Sequence, residues 1–410
     1  MKILCLFTNE FPYGNWEPYL ETEIKFYNDF DRVYIFSLQL RQDHAVTKRH
    51  VGSNVIVIPI YYAPRWKYLV NVIKTLKDLN LYKELFRVIK KGISLSRLIS
   101  LFVFFSRSHY EAKKILENIK IWNKDDDVYF YSYRFEYQPY VAVLIKKWLQ
   151  LDSPIFSRAH RFDLYEERRP NGYIPMREGL LSNVNYVYPC SNDGTQYLSS
   201  AYPDYKQKIK TKYLGTQDYG CQQGKRSKIF KIITCSTITD VKRLTLLANA
   251  LAKITDNDIS WIHFGDGVLR RDLEGAIKKL PANIQVTLKG NVDNPELMRF
   301  YKDNYCDLFI NVSSSEGLPV SIMEAISFGI PCLATNAGGT AEIVEDGYNG
   351  YIIPVDSNEE IIAENIVKFI DMDECKYLDM RDAARTKWMK MFNAEKNYKA
   401  FIKDLINYKE

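Results

Sequence analysis

Short apolar runs alternate along this chain with stretches whose apolar positions recur every three or four residues, and the alternation occurs as two separate series. In the first half, residues 2–8, 32–38, 55–60, 128–133, 155–160 and 186–191 are rich in Val, Ile, Leu, Phe and Tyr. Each is bounded by polar or turn-forming residues, as buried strands are. Residues 11–27 hold a loop and a Glu-rich helix, residues 139–148 read as a helix, and another helix follows residue 191. The second series begins at Ile229, with strands predicted at 229–235, 259–264, 284–288, 308–312, 332–334 and 350–353. Helical spacing fills the gaps at 244–254, 269–280, 295–302, 319–328 and 340–344. Regular strand–helix alternation predicts a parallel sheet wrapped by helices, here formed twice. The glycines 215, 220 and 224, among basic residues, mark residues 211–227 as the hinge between the two series.

Length agrees with that division. At 410 residues the chain exceeds what one core supports. Seven scattered cysteines (5, 190, 221, 235, 306, 332 and 375) include no CxxC and no zinc-like Cys/His spacing. That pattern points to reduced thiols in a reducing compartment. The apolar start at residues 3–7 reaches Asn9 and Glu10 at once, too short for a signal peptide and fitting a first strand. No stretch approaches the ~20 apolar residues of a membrane helix. Charge changes the picture in one place. The net charge is only +6, yet residues 65–122 carry 13 Lys/Arg against 4 Asp/Glu, which leaves the remainder slightly acidic. The same stretch has apolar residues at helical spacing (Leu69, Val72, Ile73 and Leu76, then Leu85, Phe86 and Ile89). A basic amphipathic segment reads as a membrane-surface contact; the plainer reading is helices packed on their own domain. No nucleic-acid-binding module is present. Asp125-Asp126-Asp127 imitates a DxD metal motif, but it precedes a strand, which puts its side chains at the wrong end, and it reads as a solvated linker.

Candidate chemistry concentrates in one run. Glu316 and Glu324 lie eight residues apart, after the apolar run 308–310 and on either side of Pro319. The layout is strand, tight loop, helix, with one carboxylate in the loop and one in the helix. Pro319 suits the first helical position, where its missing N–H is no loss. A helix N-terminus attracts phosphate and carboxylates grip hydroxyls, so one place would hold both ends of a sugar nucleotide. Two α/β sheets bind ligands at the carboxyl ends of their strands.

The second half resembles the retaining glycosyltransferase family 4, of GT-B architecture. The resemblance rests on residues 235–243 (Cys-Ser-Thr-Ile-Thr-Asp-Val-Lys-Arg), 264–267 (Phe-Gly-Asp-Gly), 288–292 (Leu-Lys-Gly-Asn-Val), the two glutamates, and 337–344 (Ala-Gly-Gly-Thr-Ala-Glu-Ile-Val). In the first half, residues 11–14, 157–163 and 189–191 are similar to one branch of the family, and Trp388, residues 392–394 and Tyr398 resemble its closing helix. The resemblance implies an α/β fold of two Rossmann-like parallel-sheet domains facing across a cleft. Residues 1–212, with 389–410 crossing back, would form the acceptor-binding domain, and residues 213–388 the donor domain.

By the same resemblance, Glu324 accepts from the nucleotide ribose, and Glu316 meets the donor sugar with the N–H groups of Gly317 and Leu318. Lys242 stabilises the leaving diphosphate, and backbone near Asn291 and Val292 meets the base. Where many members carry an arginine, this chain has Thr237, which offers a hydroxyl without charge, and the neighbouring Arg243 leaves the backbone in a different direction. His160 is the residue expected beside the donor sugar, with Asp163 supporting it, and Gly14 allows backbone to approach phosphate. Glu17, Arg158, Asp163 and Arg177 are acceptor-side candidates. The implied activity is retaining transfer of a sugar from a nucleotide diphosphate sugar to a glycan or lipid-linked acceptor, without a metal or other cofactor. It would take place in the cytoplasm at the inner face of the cell membrane, in contact with anionic lipid, with no nucleic acid as partner. Two alternatives are a noncatalytic subunit that binds a sugar nucleotide or glycan, and a phosphorolytic enzyme, whose inorganic phosphate site the sequence does not supply.

Overall fold

The structure is a computed structural model that describes residues 1–14, 16–46, 48–118, 123 and 125–408. The last residues of the basic stretch, 119–122, lie outside the described residues. The chain divides into two units, Met1–Tyr213 together with Tyr398–Glu410, and Leu214–Asn397.

The first unit contains β1 (Lys2–Thr8), β2 (Arg32–Leu40), β3 (Val55–Tyr61), β4 (Asp127–Ser132), β5 (Ile155–Ala159) and β6 (Tyr186–Pro189). They form one six-stranded parallel sheet in the order β3-β2-β1-β4-β5-β6. Strand alternation sends Ile3, Cys5 and Phe7 of β1 into one buried cluster and Leu4 and Leu6 into another. Both faces are therefore covered, which is why the strand reads as a continuous apolar run. The second cluster is closed by Phe401, Ile402 and Leu405 from the helix Ala394–Ile406.

In the second unit, β7 (Phe230–Cys235), β8 (Ile259–Phe264), β9 (Ile284–Leu288), β10 (Leu308–Asn311), β11 (Cys332–Thr335) and β12 (Gly350–Ile353) pair in the order β12-β11-β10-β7-β8-β9, again all parallel. Both orders are the doubly wound pattern. The chain runs outward one way from the first strand, then returns and runs outward the other way from the fourth. The reversal falls between β1 and β4 in one sheet and between β7 and β10 in the other, where the connecting loops diverge and leave a crevice at the strands' carboxyl ends.

Three local differences from the sequence reading matter. β5 stops at Ala159, and His160 becomes the N-cap of a short helix, Arg161–Leu164, because Asp163 Oδ1 accepts the His160 N–H at 2.7 Å. Pro319 is the extended N-cap (ψ 102°) of the helix Val320–Ser327, one residue before the first helical position. The basic stretch forms three helices, Arg65–Thr75, Leu79–Lys90 and Leu95–Asn118. Leu69, Ile73, Leu76, Phe86 and Ile89, expected to pack or to meet a membrane, are all exposed.

Candidate functional site

In the second unit the chemistry lies at the topological reversal. The loop after β7 carries Lys242, and the loop after β10 carries Glu316. Lys242 Nζ lies 2.6 Å from Glu316 Oε1, and Asn311 Nδ2 donates to the same oxygen at 3.2 Å. Neither charge is fully buried, so the pair keeps contact with solvent. The loop holding Glu316 is fixed by the glycine turn after β11. The Gly339 N–H donates to the Gly317 carbonyl at 2.8 Å. Gly338 has φ +54°, and a Cβ there would come within 2.3 Å of the Glu316 carbonyl oxygen. Only glycine fits both the backbone conformation and the space.

Glu324 lies on the helix Val320–Ser327 and accepts from Asn294 Nδ2 at 2.7 Å. Protein atoms surround its carboxylate on most sides, although it keeps some exposure. That crowding pushes its pKa up to about 7, against the partial relief of the Asn294 hydrogen bond. Cys235, the last residue of β7, lies within the electrostatic reach of both Glu324 and Lys242, and burial pushes its thiol up to about 12. Lys242 thus touches Glu316, and both Lys242 and Glu324 lie within electrostatic reach of Cys235 at the end of β7.

The remaining donor-side candidates rim the same strand ends. Thr237 is exposed on the loop after β7. That loop lies against the turn after β8, where Gly265 has φ +131° and a Cβ would meet the Ser236 carbonyl oxygen at 1.9 Å. The Gly265 N–H donates to the Gly290 carbonyl at 2.8 Å, which ties in the segment of Asn291 and Val292. Gly317 is partly exposed, while Leu318 is buried. Arg243 does not replace the missing arginine. Its backbone is left-handed (φ 50°), and its guanidinium donates to the Val312 and Val355 carbonyls at 2.7 and 2.6 Å. Asn294 and Asn311 went unrecognised in the sequence. Each touches a glutamate through a strand or helix end that no single motif contains.

The first unit treats its reversal differently. Glu17 accepts backbone N–H groups from Asn9, Glu10 and Phe11 at 2.9–3.2 Å and is buried. It fixes the turn after β1 and is not placed to bind an acceptor. Gly14 lies in that turn at φ +56°, so the turn by itself requires glycine. Arg158 is fully buried: its Nε donates to Tyr131 Oη at 2.9 Å and lies 3.2 Å from Glu23 Oε2. Arg177, also buried, donates to the Phe135 and Asp163 carbonyls at 2.9 and 2.6 Å. Burial thus corrects the acceptor-side reading of Glu17, Arg158 and Arg177, whose hydrogen bonds hold the unit's own backbone and buried network. Asp163 is likewise internal. It accepts from the Phe135 and His160 N–H groups at 2.6 and 2.7 Å, and burial pushes its pKa up to about 6.

His160 remains partly exposed beside the Tyr133 ring, with centroids 4.7 Å apart. Its Nε2 makes no well-formed hydrogen bond. Burial, with the Arg134 and Arg158 charges, holds its pKa well below the usual imidazole range, so the ring is neutral at neutral pH. Arg134, which the sequence reading missed, follows β4 at the reversal and reaches to 3.9 Å from Glu17 Oε1. Its only sequence signal was its position just beyond the strand.

Comparison with known proteins follows the same division. Residues 219–387 match the family model for Glycosyl transferases group 1. That match covers most of the second unit and none of the first. Over 182 residues it is 28% identical to N-acetyl-alpha-D-glucosaminyl L-malate synthase of Bacillus anthracis, covering 44% of this chain and 45% of that protein. Over 142 residues it is 31% identical to the O-antigen biosynthesis glycosyltransferase WbnH of Escherichia coli, covering 35% and 38%. These alignments span less than half of the curated relatives. Among solved structures, HepE of Anabaena in complex with UDP matches all of this chain with a TM-score of 0.67 at 17% identity. Sucrose-phosphate synthase of Thermosynechococcus elongatus does so with a TM-score of 0.69 at 15% identity. The chain therefore has the GT-B class of fold, two six-stranded parallel α/β sheets.

Proposed function

We propose that this chain is a retaining glycosyltransferase that moves a sugar from a nucleotide diphosphate sugar to an acceptor hydroxyl in the synthesis of a surface polysaccharide or lipid-linked oligosaccharide. The observation that carries this reading is the contact of Lys242 with Glu316 at the reversal of the second sheet, with Glu324 near the same strand end. A diphosphate seated there takes the Lys242 ammonium, and Glu316 is released to a sugar hydroxyl. As the bond from the anomeric carbon to the phosphate oxygen breaks, charge grows on that oxygen, and a fixed cation stabilises it more in the transition state than before. The acceptor oxygen bonds the same face of the sugar, and its proton passes to the leaving diphosphate. Lys242 supplies the positive charge, so the reading needs no metal. The neutral, partly exposed His160 is assigned a substrate contact in the first unit.

HepE binds UDP and UDP-glucose, which makes uridine nucleotides the first donors to try. The test is release of UDP from UDP-glucose, UDP-galactose and UDP-N-acetylglucosamine in the presence of glycan acceptors, with the anomeric configuration of the product read by NMR. Absence of turnover together with absence of thermal stabilisation by UDP defeats the reading. The exposed, uncharged Thr237 favours one second reading, a noncatalytic subunit that binds the sugar nucleotide. It predicts saturable UDP binding without release from any donor.

The exposed Trp66, Leu69, Ile73 and Phe86, set among Lys67, Lys74 and Lys90, support peripheral contact with an anionic membrane at its cytoplasmic face. No helix among the described residues is long and apolar enough to cross a membrane. Sedimentation with anionic vesicles at low salt tests the contact; recovery of the protein in the supernatant counts against it.

A further inference from the structure

The segment after β9 and the helix Val320–Ser327 are joined by a side-chain hydrogen bond: Asn294 Nδ2 donates to Glu324 Oε1 at 2.7 Å. Asn294 opens the helix Asn294–Asp303, three residues beyond Asn291, and Pro295 follows it in the first turn. Packing sets the position of that helix on two sides. Phe300 meets Phe264 at the end of β8 edge-on, with ring centroids 4.9 Å apart. Tyr301 has its ring centroid 5.4 Å from that of Phe328, the residue that caps the helix of Glu324. The turn before Asn294 is tied to the end of β8 by the Gly265 N–H, which donates to the Gly290 carbonyl at 2.8 Å. The amide therefore approaches Glu324 from a rigid platform, so the bond orients the carboxylate as well as supplying it with a donor.

The bond occupies one oxygen of the carboxylate. Oε2 takes no hydrogen bond from the described residues. Asn294 supplies an N–H without charge, and it favours the ionised carboxylate against the burial that opposes it. An ionised carboxylate with one oxygen held and the other open suits a vicinal diol, because both diol hydroxyls can then donate to it. Among the described residues, the titratable groups that reach Glu324 electrostatically are Cys235 at the end of β7, Tyr301 on the helix of Asn294, and Tyr219 on the segment leading to β7. Burial holds each of them protonated at neutral pH.

We infer that Asn294 is a positioning residue of the nucleotide site: it holds Glu324 Oε1 so that Oε2 is left to the ribose hydroxyls, and it links ribose recognition to the segment of Asn291 and Val292. The inference rests on the transferase reading for the ribose; the Asn294–Glu324 contact stands without it.

The test uses the full chain with Asn294→Ala and with Asn294→Asp, which keeps the shape, removes the N–H donors and adds a like charge. Asn294 is exposed, so both variants are expected to keep the natural circular dichroism spectrum. Calorimetry with UDP at pH 7 is expected to show about a tenfold loss of affinity in Asn294→Ala, at the lower end for a hydrogen bond to a charged group, and a larger loss in Asn294→Asp. The Asn294→Ala loss shrinks to about twofold at pH 9, where Glu324 is ionised in both chains. A merely structural role gives the same loss at both pH values. With 2′,3′-dideoxyuridine diphosphate, which has no ribose hydroxyl for Glu324, Asn294→Ala and the natural chain are expected to bind alike. Without nucleotide, the fall in stability that Glu324 causes as pH rises through about 7 moves up by about one pH unit in Asn294→Ala, with Glu324→Gln as the chain that lacks it. The inference is overturned by UDP affinity in Asn294→Ala equal to or tighter than in the natural chain, by a loss independent of pH, by the same loss with the dideoxy compound, or by an unmoved stability profile. Failure of UDP to bind the natural chain defeats the transferase reading, and the nucleotide-free profile then still decides whether Asn294 controls Glu324.

Discussion

The two sheets have the same strand order and the same reversal, yet they use it in opposite ways. In the second unit the reversal leaves a lysine and a glutamate in contact with each other and with solvent. In the first unit the corresponding loops are tied down by Glu17 and Asp163, each neutralising backbone N–H groups inside the protein. One reversal carries a charged pair that keeps contact with solvent. The other is a rigid frame with a cavity beside it. Topology therefore decides where a site forms, and the side chains decide whether the place becomes a binding site or an internal brace.

The largest effect that tests this contrast is on stability. Arg158→Ala leaves Glu23 buried and uncompensated beside Tyr27 and Tyr131. It is expected to lose about 3–5 kcal/mol in urea unfolding. A loss under 1 kcal/mol would return Arg158 to the list of ligand-facing groups. Lys242→Ala is expected to do the reverse, lowering turnover about 10²–10³-fold with unfolding unchanged, because its partner keeps solvent and Asn311. Next comes Glu324→Ala, expected to weaken UDP binding about 10–100-fold by calorimetry, as for a lost hydrogen bond to a charged group. Wild-type affinity in this variant would remove Glu324 from the nucleotide site.

A smaller effect is expected from pH. The folded pKa of Glu324, about 7, lies above its ordinary value of 4.5. The folded protein holds that proton after the unfolded chain has lost it, so this group's contribution to stability falls as pH rises from about 4.5 through about 7. Glu324→Gln flattens that part of the stability profile, and an unchanged profile would show that the carboxylate ionises normally. The smallest change is Thr237→Arg. It adds an exposed cation beside the proposed diphosphate position and is expected to tighten UDP binding only about threefold, at the scale of exposed charge pairs. No gain at low salt would mean that the loop after β7 points away from the diphosphate.

Much of this was readable in advance, and the reasons differ by element. β1, β8, β9 and β12 were legible to the residue, because buried parallel strands are uninterrupted apolar runs ended by turn residues. His160 was placed at the end of the strand that starts with Ile155 and Phe156; the Asp163 carboxylate, three residues on, pulled it into a helix cap. Glu316 and Glu324 stood out by their spacing around Pro319, and Lys242 only by the family resemblance. Asn294 and Arg134 did not, because each reaches its partner from another strand's loop, and no spacing within one loop encodes that distance.

By itself the sequence determined two parallel sheets, most of their strands and the spacing of the acidic pair, since periodicity and local spacing are properties of the chain alone. Only the tertiary structure decided that Arg158, Arg177 and Glu17 lie inside, that Leu69 and Phe86 lie outside, and that Arg107, Arg134 and Arg169 line one cavity. Burial and convergence depend on which face of each element meets another, and that is fixed only when all the elements pack together.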